Sequence, residues 1–132
     1  MLLRLLLSLA LVVVNVAAQS STGTATMVGA VADSSGAVVV GAKVTVTNAD
    51  AGFVFTSVTT AEGTWYIPNL NPGTYQLRIE APRFKTHVQS GITLRTAEQP
   101  RFDVSLEVGN VTESVQVTGT APLLETETST SG

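Results

Sequence analysis

Residues 62–75, Glu-Gly-Thr-Trp-Tyr-Ile-Pro-Asn-Leu-Asn-Pro-Gly-Thr-Tyr, combine two turns with the edges of two strands. Gly63 offers a turn position with positive φ, because a residue without a Cβ adopts that conformation at little cost. Trp65 and Ile67 alternate toward one face, as a half-buried strand requires. Asn71-Pro72-Gly73 is typical of a type II turn, in which Gly takes the left-handed position. The segment therefore predicts a corner between two short antiparallel strands and contains no catalytic motif.

The rest of the chain consists of short valine- and threonine-rich segments separated by turn residues. Strands of this composition, at about eight-to-twelve-residue spacing, are typical of a β-sandwich. We predict an all-β, seven-stranded antiparallel β-sandwich of immunoglobulin-like or transthyretin-like type over residues 24–108, with no helix after residue 18. The segments expected to form strands are residues 27–32, 42–48, 53–60, 65–68, 74–81, 85–89, 92–95, 101–108 and 111–118.

Alternation within these segments also predicts the core. The side chains expected there are Val31, Val44, Val46, Val58, Trp65, Ile67, Leu70, Tyr75, Leu77, Ile79, Phe84, Leu94, Phe102, Val104 and Leu106. Because neighbouring strand residues face opposite sides, Tyr66 is expected to be exposed while Trp65 is buried. An exposed ring can stack on a sugar, so Tyr66 is a candidate glycan contact. The alternative function for the chain is accordingly that of an exported carbohydrate-binding module.

The first eighteen residues have the composition of a signal peptide. Arg4 provides a positive charge, residues 5–14 are apolar apart from one Ser, and Val16-Ala17-Ala18 offers small residues for cleavage. The apolar stretch is shorter than the ~20 residues that a membrane-spanning helix needs. The sequence therefore predicts an exported chain that is cleaved after Ala18.

Charge and residue usage exclude several classes of function. The chain has 7 Lys and Arg against 10 Asp and Glu, a net charge of −3 that becomes −4 once Arg4 is removed. Without a basic stripe, nucleic-acid binding is not expected. The chain has no Cys and one His, which excludes a disulfide scaffold and a structural zinc site.

The sequence offers little for catalysis. His87 is the only possible imidazole base, and it lies in a polar stretch without a Gly-x-Ser-x-Gly nucleophile motif, so it is expected to be a surface histidine. Asp33, Asp50 and Glu62 lie in turns and could meet around Ca²⁺, but local turn formation already explains those residue types. We expect no enzymatic activity, no cofactor and no metal.

Several stretches together resemble the carboxypeptidase regulatory-like domain, a transthyretin-like or starch-binding-domain-like sandwich. The matching stretches are residues 31–39, 41–48, 63–75, 101–109 and 113–118. The resemblance implies a non-catalytic sandwich, since the peptidase in the family's name is a neighbouring domain of other proteins. The family commonly has Gly where this chain has Arg83, so a left-handed turn there would cost about 1 kcal/mol.

The order of these stretches, followed by residues 121–126, resembles the N-terminal extension of Oar-like TonB-dependent outer-membrane receptors. That resemblance implies a structural or interaction module in nutrient uptake, located in the periplasm or at the outer membrane. The chain has no run of ~10-residue alternating strands that could close a barrel. It is thus expected to be a truncated or separately encoded receptor head, tied to the outer membrane only through a missing barrel. Residues 119–132 are then a polar tail that opens the missing plug.

The segment Glu113, Ser114, Val115, Gln116, Val117 and Thr118 resembles a TonB box, with which such receptors engage TonB. The resemblance implies the periplasmic domain of TonB as a partner. The pairing would be β-augmentation, in which an extended peptide adds a strand to a partner sheet and alternate side chains set its register. The alternative is that residues 109–118 simply provide the last strand of the sandwich, and the sequence leaves both interpretations open.

Overall fold

The computed structural model describes residues 23–119, which form eight strands in two sheets. The strands are β1 (Ala25–Asp33), β2 (Lys43–Asn48), β3 (Val54–Val58), β4 (Thr64–Leu70), β5 (Gly73–Glu80), β6 (Thr86–Leu94), β7 (Arg101–Leu106) and β8 (Ser114–Thr118). This part of the chain contains no helix, and hence none that could cross a membrane. The predicted signal peptide, residues 1–18, and the predicted tail beyond residue 119 lie outside the described residues.

The two sheets pack as a sandwich with mixed strand directions. One sheet has the order β4-β1-β7 and the other β3-β2-β5-β6-β8. The pairs β1–β7 and β6–β8 are parallel, and the remaining pairs are antiparallel. The predicted all-β fold is confirmed for residues 23–119. The prediction of a seven-stranded, purely antiparallel sandwich was wrong, because these residues form eight strands and two of the strand pairs are parallel. Two parallel strands that pair with each other need a crossover connection between them. From β6 to β8 the chain makes this connection through β7 in the other sheet, so that β8 pairs with β6 in the same direction.

A bulge explains why two of the predicted strands are one. Residues 85–89 and 92–95 were expected to be separate, yet β6 runs continuously from Thr86 to Leu94. The register between β5 and β6 shifts between Tyr75 and Leu77, and Gly91 has a φ of 72° at the same place. An extra residue in one strand of a pair is accommodated by such a bulge, so the ladder continues on both sides of it.

The core between the sheets contains every predicted core residue except Val58 and Phe84. Val58 is wrong, since it is 59% exposed, and Phe84 is only partly buried against the core. On the edge strand β3 it is Phe55, of opposite parity to Val58, that packs against the core. Alternation also missed Met27 and Ile92, both fully buried.

The corner between β4 and β5 is built differently from the sequence prediction. Gly63 has the expected positive φ, at 74°, but Gly73 has a φ of 159° and not the value near +80° of a type II turn. The left-handed residue is Asn69, with a φ of 62°, at a register shift of β4 against β1. The Tyr75 hydroxyl then donates to the Asn71 carbonyl oxygen at 2.7 Å and fixes the corner.

Candidate functional site

The predicted partner-binding segment forms an edge strand of the five-stranded sheet. β8 comprises Ser114–Thr118, and Glu113 immediately precedes it. Val115 lies opposite His87 of β6, and Val117 lies opposite Gln89. Within β8 only Val115 is partly buried, and Val117 is 38% exposed. The alternation of the segment therefore serves the hydrophobic core only weakly.

Polar contacts fasten β8 at both ends. At its start, the Thr86 amide donates to the Glu113 carbonyl at 2.8 Å, and the Thr86 hydroxyl donates to the Val111 carbonyl at 2.7 Å. At its end, the Gln89 side-chain amide donates to the Gly119 carbonyl at 3.0 Å. Thr86 and Gln89 are 1% and 3% exposed, and the other buried polar side chain in the described part of the chain is that of Thr59. β8 is thus held by hydrogen bonds more than by apolar packing.

Within residues 23–119, no strand pairs with the edge of β8 that faces away from β6. The Gly119 amide donates to the Ser90 carbonyl at 2.8 Å, and the Glu113 carbonyl also points to β6. In a parallel ladder every second residue directs both its N–H and its C=O to the same neighbour. The N–H and C=O groups of Ser114, Gln116 and Thr118 therefore point outward from the sheet. An unpaired row of this kind is a template for a further strand.

A groove of about 300 Å³ lies beside this edge, between β8 and β7 of the other sheet. Its apolar lining includes Phe102, Val104 and Val117, and its polar lining includes His87 and Gln89. Burial lowers the pKa of His87, and a 3.4 Å hydrogen bond to Gln89 partly opposes that shift. His87 lies next to the start of β6, as expected of a histidine at a strand end, but it is half-buried and its imidazole forms one wall of the groove.

Charges around the groove are mostly paired. Lys85 lies 3.6 Å from Glu107, and Arg101 lies 2.9 Å from Asp103. Glu113 has no ion-pair partner among residues 23–119, and its carboxylate accepts only the Asn110 amide, at 3.1 Å. The start of β8 therefore presents a carboxylate that is not ion-paired among the described residues.

The other candidate residues lie elsewhere. Tyr66 is on β4, opposite Val28, and is 58% exposed, as alternation predicted. Asp33 accepts hydrogen bonds from the hydroxyl and amide of Ser35 and the amide of Ala37, and these lower its pKa. Across residues 23–119, no three His, Cys, Asp or Glu side chains come together as a metal site.

Sequence reasoning missed the groove itself. Its walls come from three consecutive strands, β6, β7 and β8, that belong to two different sheets, and no local pattern signals that β7 and β8 lie side by side at the edges of those sheets. The one available signal was the odd pattern of β6, in which His87 and Gln89 occupy positions facing the sandwich interior that would otherwise be apolar.

Comparison with known proteins gives both sequence and fold relatives. The family model of the carboxypeptidase regulatory-like domain matches residues 26–107. The TonB-dependent transporter Oar of Myxococcus xanthus is 36% identical over 115 residues, which is 87% of this chain. The chain spans 11% of the length of that relative.

Two solved structures show the same fold at low identity. A putative carbohydrate binding protein from Bacteroides uniformis has a TM-score of 0.51 and 18% identity, over 62% of this chain and 40% of that one. The catechol 1,2-dioxygenase of Acinetobacter radioresistens has a TM-score of 0.54 and 12% identity, over 75% of this chain and 58% of that one. At such identities the likeness concerns the sandwich alone and carries no activity over.

Proposed function

Because this chain belongs to the carboxypeptidase regulatory-like domain family, we propose that it is the non-catalytic N-terminal extension domain of a TonB-dependent outer-membrane receptor. It acts as a structural and interaction module in the periplasm during nutrient uptake. The observation that carries the proposal is the 36% identity to the transporter Oar over 87% of the chain. Transport itself belongs to other parts of such a receptor, since the matched region is 11% of Oar.

The partner in this proposal is the periplasmic domain of TonB, and the contact is the segment Glu113 to Thr118. Two features of the segment support it. β8 is an edge strand with outward-facing backbone groups, which is the geometry that β-augmentation uses. Its side chains are mostly exposed, so a partner can reach them without unfolding the sandwich.

Export follows from the same proposal. Residues 1–18 direct the chain to the envelope and are removed after Ala18, which leaves a protein that begins at Gln19. The intact mass of the protein recovered from the periplasm or the outer membrane tests this. A mass that includes residues 1–18 would contradict cleavage.

Titration of the protein with the periplasmic domain of TonB tests the partner. Val115→Pro removes an N–H that points to β6, so it should release β8 from the sheet and abolish binding while the sandwich stays folded. Ser57→Pro is the matched control on the opposite edge: the Thr59 amide donates to the Ala42 carbonyl at 3.0 Å, so alternation directs the Ser57 N–H to the neighbouring strand β2, as the Val115 N–H is directed to β6. Unaltered binding by Val115→Pro, unfolding of the domain by that change, or no binding by the natural sequence would each reduce β8 to a structural strand.

Carbohydrate binding is the second candidate function. The observation that favours it is the 58% exposure of Tyr66, an aromatic ring on the outer face of the three-stranded sheet. Ion-paired Arg101 and Asp103 lie on the same face, one strand beyond Val28, and could donate to and accept from sugar hydroxyls. Calorimetry with soluble oligosaccharides tests it: saturable binding that Tyr66→Ala removes supports this function, and no heat of binding contradicts it.

A further inference from the structure

We infer that the partner strand adds to the free edge of β8 while β8 stays paired with β6, and that it seats an apolar side chain in the groove beside β7. This inference rests on the proposed function, since the partner strand is that of the periplasmic domain of TonB. The rival mode is detachment, in which β8 leaves β6 and pairs with the partner elsewhere.

Hydrogen-bond accounting favours addition over detachment. Detachment breaks the β6–β8 ladder from Thr86 to Ser90 and forms at most an equivalent ladder with the partner. It also breaks the bonds from the side chains of Thr86 and Gln89, which a backbone ladder with the partner does not replace. Addition keeps all of these and satisfies the outward N–H and C=O groups of β8. Addition gains bonds where detachment only exchanges them.

The groove determines which side of the partner strand is recognised. A strand laid along β8 lies across the mouth of the groove, and every second side chain then points between the sheets. The lining by Phe102, Val104 and Val117 is apolar, and a volume of about 300 Å³ admits a side chain of leucine or phenylalanine size. The neutral His87 and the buried Gln89 carry no charge that an apolar side chain would desolvate. Asp103, which also lines the groove, is paired with Arg101.

Charge identifies the occupant further. Lys85 is paired with Glu107 and Arg101 with Asp103, whereas Glu113 is not ion-paired among the described residues. The fitting partner strand therefore carries Lys or Arg beside the start of β8 and an apolar residue at alternating positions. A second copy of this chain fits less well, because each copy carries a net charge of −4 once residues 1–18 with Arg4 are removed.

A reversible covalent lock separates the two modes. Val88 and Gln116 are paired residues of β6 and β8, and the chain has no other cysteine to interfere with a V88C/Q116C disulfide. We expect the oxidised protein to bind the periplasmic domain of TonB with a Kd within about two-fold of the reduced protein. Binding by the reduced form that oxidation weakens about ten-fold or more would establish detachment and overturn the inference. Binding by neither form would instead contradict the proposed function, and the inference with it.

A second pair of variants tests the groove. Val117→Phe places a ring in the groove without altering the β8 backbone, and should weaken binding about ten-fold by occupying the seat of the incoming side chain. Gln116→Phe, on the opposite face of the same strand, is the control and should bind as the natural sequence does. Natural affinity in Val117→Phe would refute the groove seat. Sedimentation that shows dimers which TonB disperses would assign the edge to a second copy and overturn the choice of partner.

Discussion

The side-chain amide of Gln89 donates to the carbonyl oxygen of Gly119 at 3.0 Å and closes the end of β8 onto β6. Gln89 is 3% exposed, so the donor of this bond is buried although β8 is an edge strand. With Thr86 at the other end, it adds a side-chain hydrogen bond at each end of the backbone ladder between β6 and β8. The stability of β8 should therefore be separable from that of the sandwich.

Gln89→Leu should loosen β8 and leave the fold intact. The Gly119 carbonyl loses its donor, and a hydrogen bond of this kind contributes about 1 kcal/mol. Amide exchange at Val117 and Gly119 should become about five-fold faster, while exchange in β1 stays unchanged. Gln76→Leu is the control, because Gln76 is exposed and only reaches the Ser90 hydroxyl at 3.3 Å. Equal effects of the two substitutions would show that the buried bond is unimportant.

Attachment of β8 should weaken in mild acid because of His87. Burial lowers the pKa of this imidazole, so the proton binds better when β8 is open and His87 is solvated. The stabilisation of the attached β8 by neutral His87 is fully present above pH 6.5, the ordinary pKa of the imidazole. It is lost as the pH falls from 6.5 through the lowered pKa of His87 in the folded protein. Exchange of the β8 amides, corrected for intrinsic rates, should rise over that window, and His87→Gln should remove the dependence. Asp103 lines the same groove but is paired with Arg101.

Asp33 provides a control for that experiment. The Ser35 hydroxyl and backbone amides lower the pKa of Asp33. The contribution of Asp33 to the stability of the folded protein is therefore present above pH 3.8, its ordinary pKa, and is lost only as the pH falls below that value. An acid effect on β8 that persisted in His87→Gln and set in only below pH 3.8 would rule out the imidazole as the cause.

Arg83→Gly should stabilise the protein. Arg83 has a φ of 73° in the turn before β6, where an L-residue costs about 1–2 kcal/mol. Its side chain is exposed, and the flexibility of Gly in the unfolded chain offsets about half of the gain. Urea denaturation should show a free energy of unfolding higher by up to about 1 kcal/mol. Arg95→Gly, where φ is not positive, should destabilise instead.

Gly29→Ala should destabilise the sandwich strongly. A Cβ on Gly29 would overlap the carbonyl group of Phe102 and lie 2.8 Å from the indole nitrogen of Trp65. Since the obstacle is backbone of β7, β1 and β7 must separate, at a cost of about 3 kcal/mol in the free energy of unfolding. At Gly36, with a φ of 89° and open space around it, alanine should cost only about 1 kcal/mol. Equal losses at both positions in denaturant titrations would contradict this packing.

Local chemistry made much of the fold predictable. The resemblance to the carboxypeptidase regulatory-like domain is confirmed, and so are the buried faces of β4 and β5, where Trp65, Ile67 and Tyr75 alternate as expected. The positive φ at Arg83 was also anticipated, because the family's usual Gly marks a left-handed position. Each of these depends on a residue and its immediate neighbours.

What the sequence left open depends on pairing between distant strands. The sequence of residues 111–118 does not predict that this segment runs parallel to β6, because its direction is set by the crossover through β7. Val58 was misplaced because both faces of β3 carry apolar side chains. Which face points into the sandwich is decided by the strands that pack around β3 and not by its own sequence. The groove is a product of the same long-range arrangement.

Residue-level hydrogen exchange of the protein, alone and with saturating periplasmic domain of TonB, tests the partner role of β8 most directly. The account predicts that the Ser114, Gln116 and Thr118 amides, which point outward, become protected, while Val88 and Ser90 of β6 keep the protection they already have. Unchanged exchange at all three β8 amides would contradict the proposal that this strand is where the partner binds.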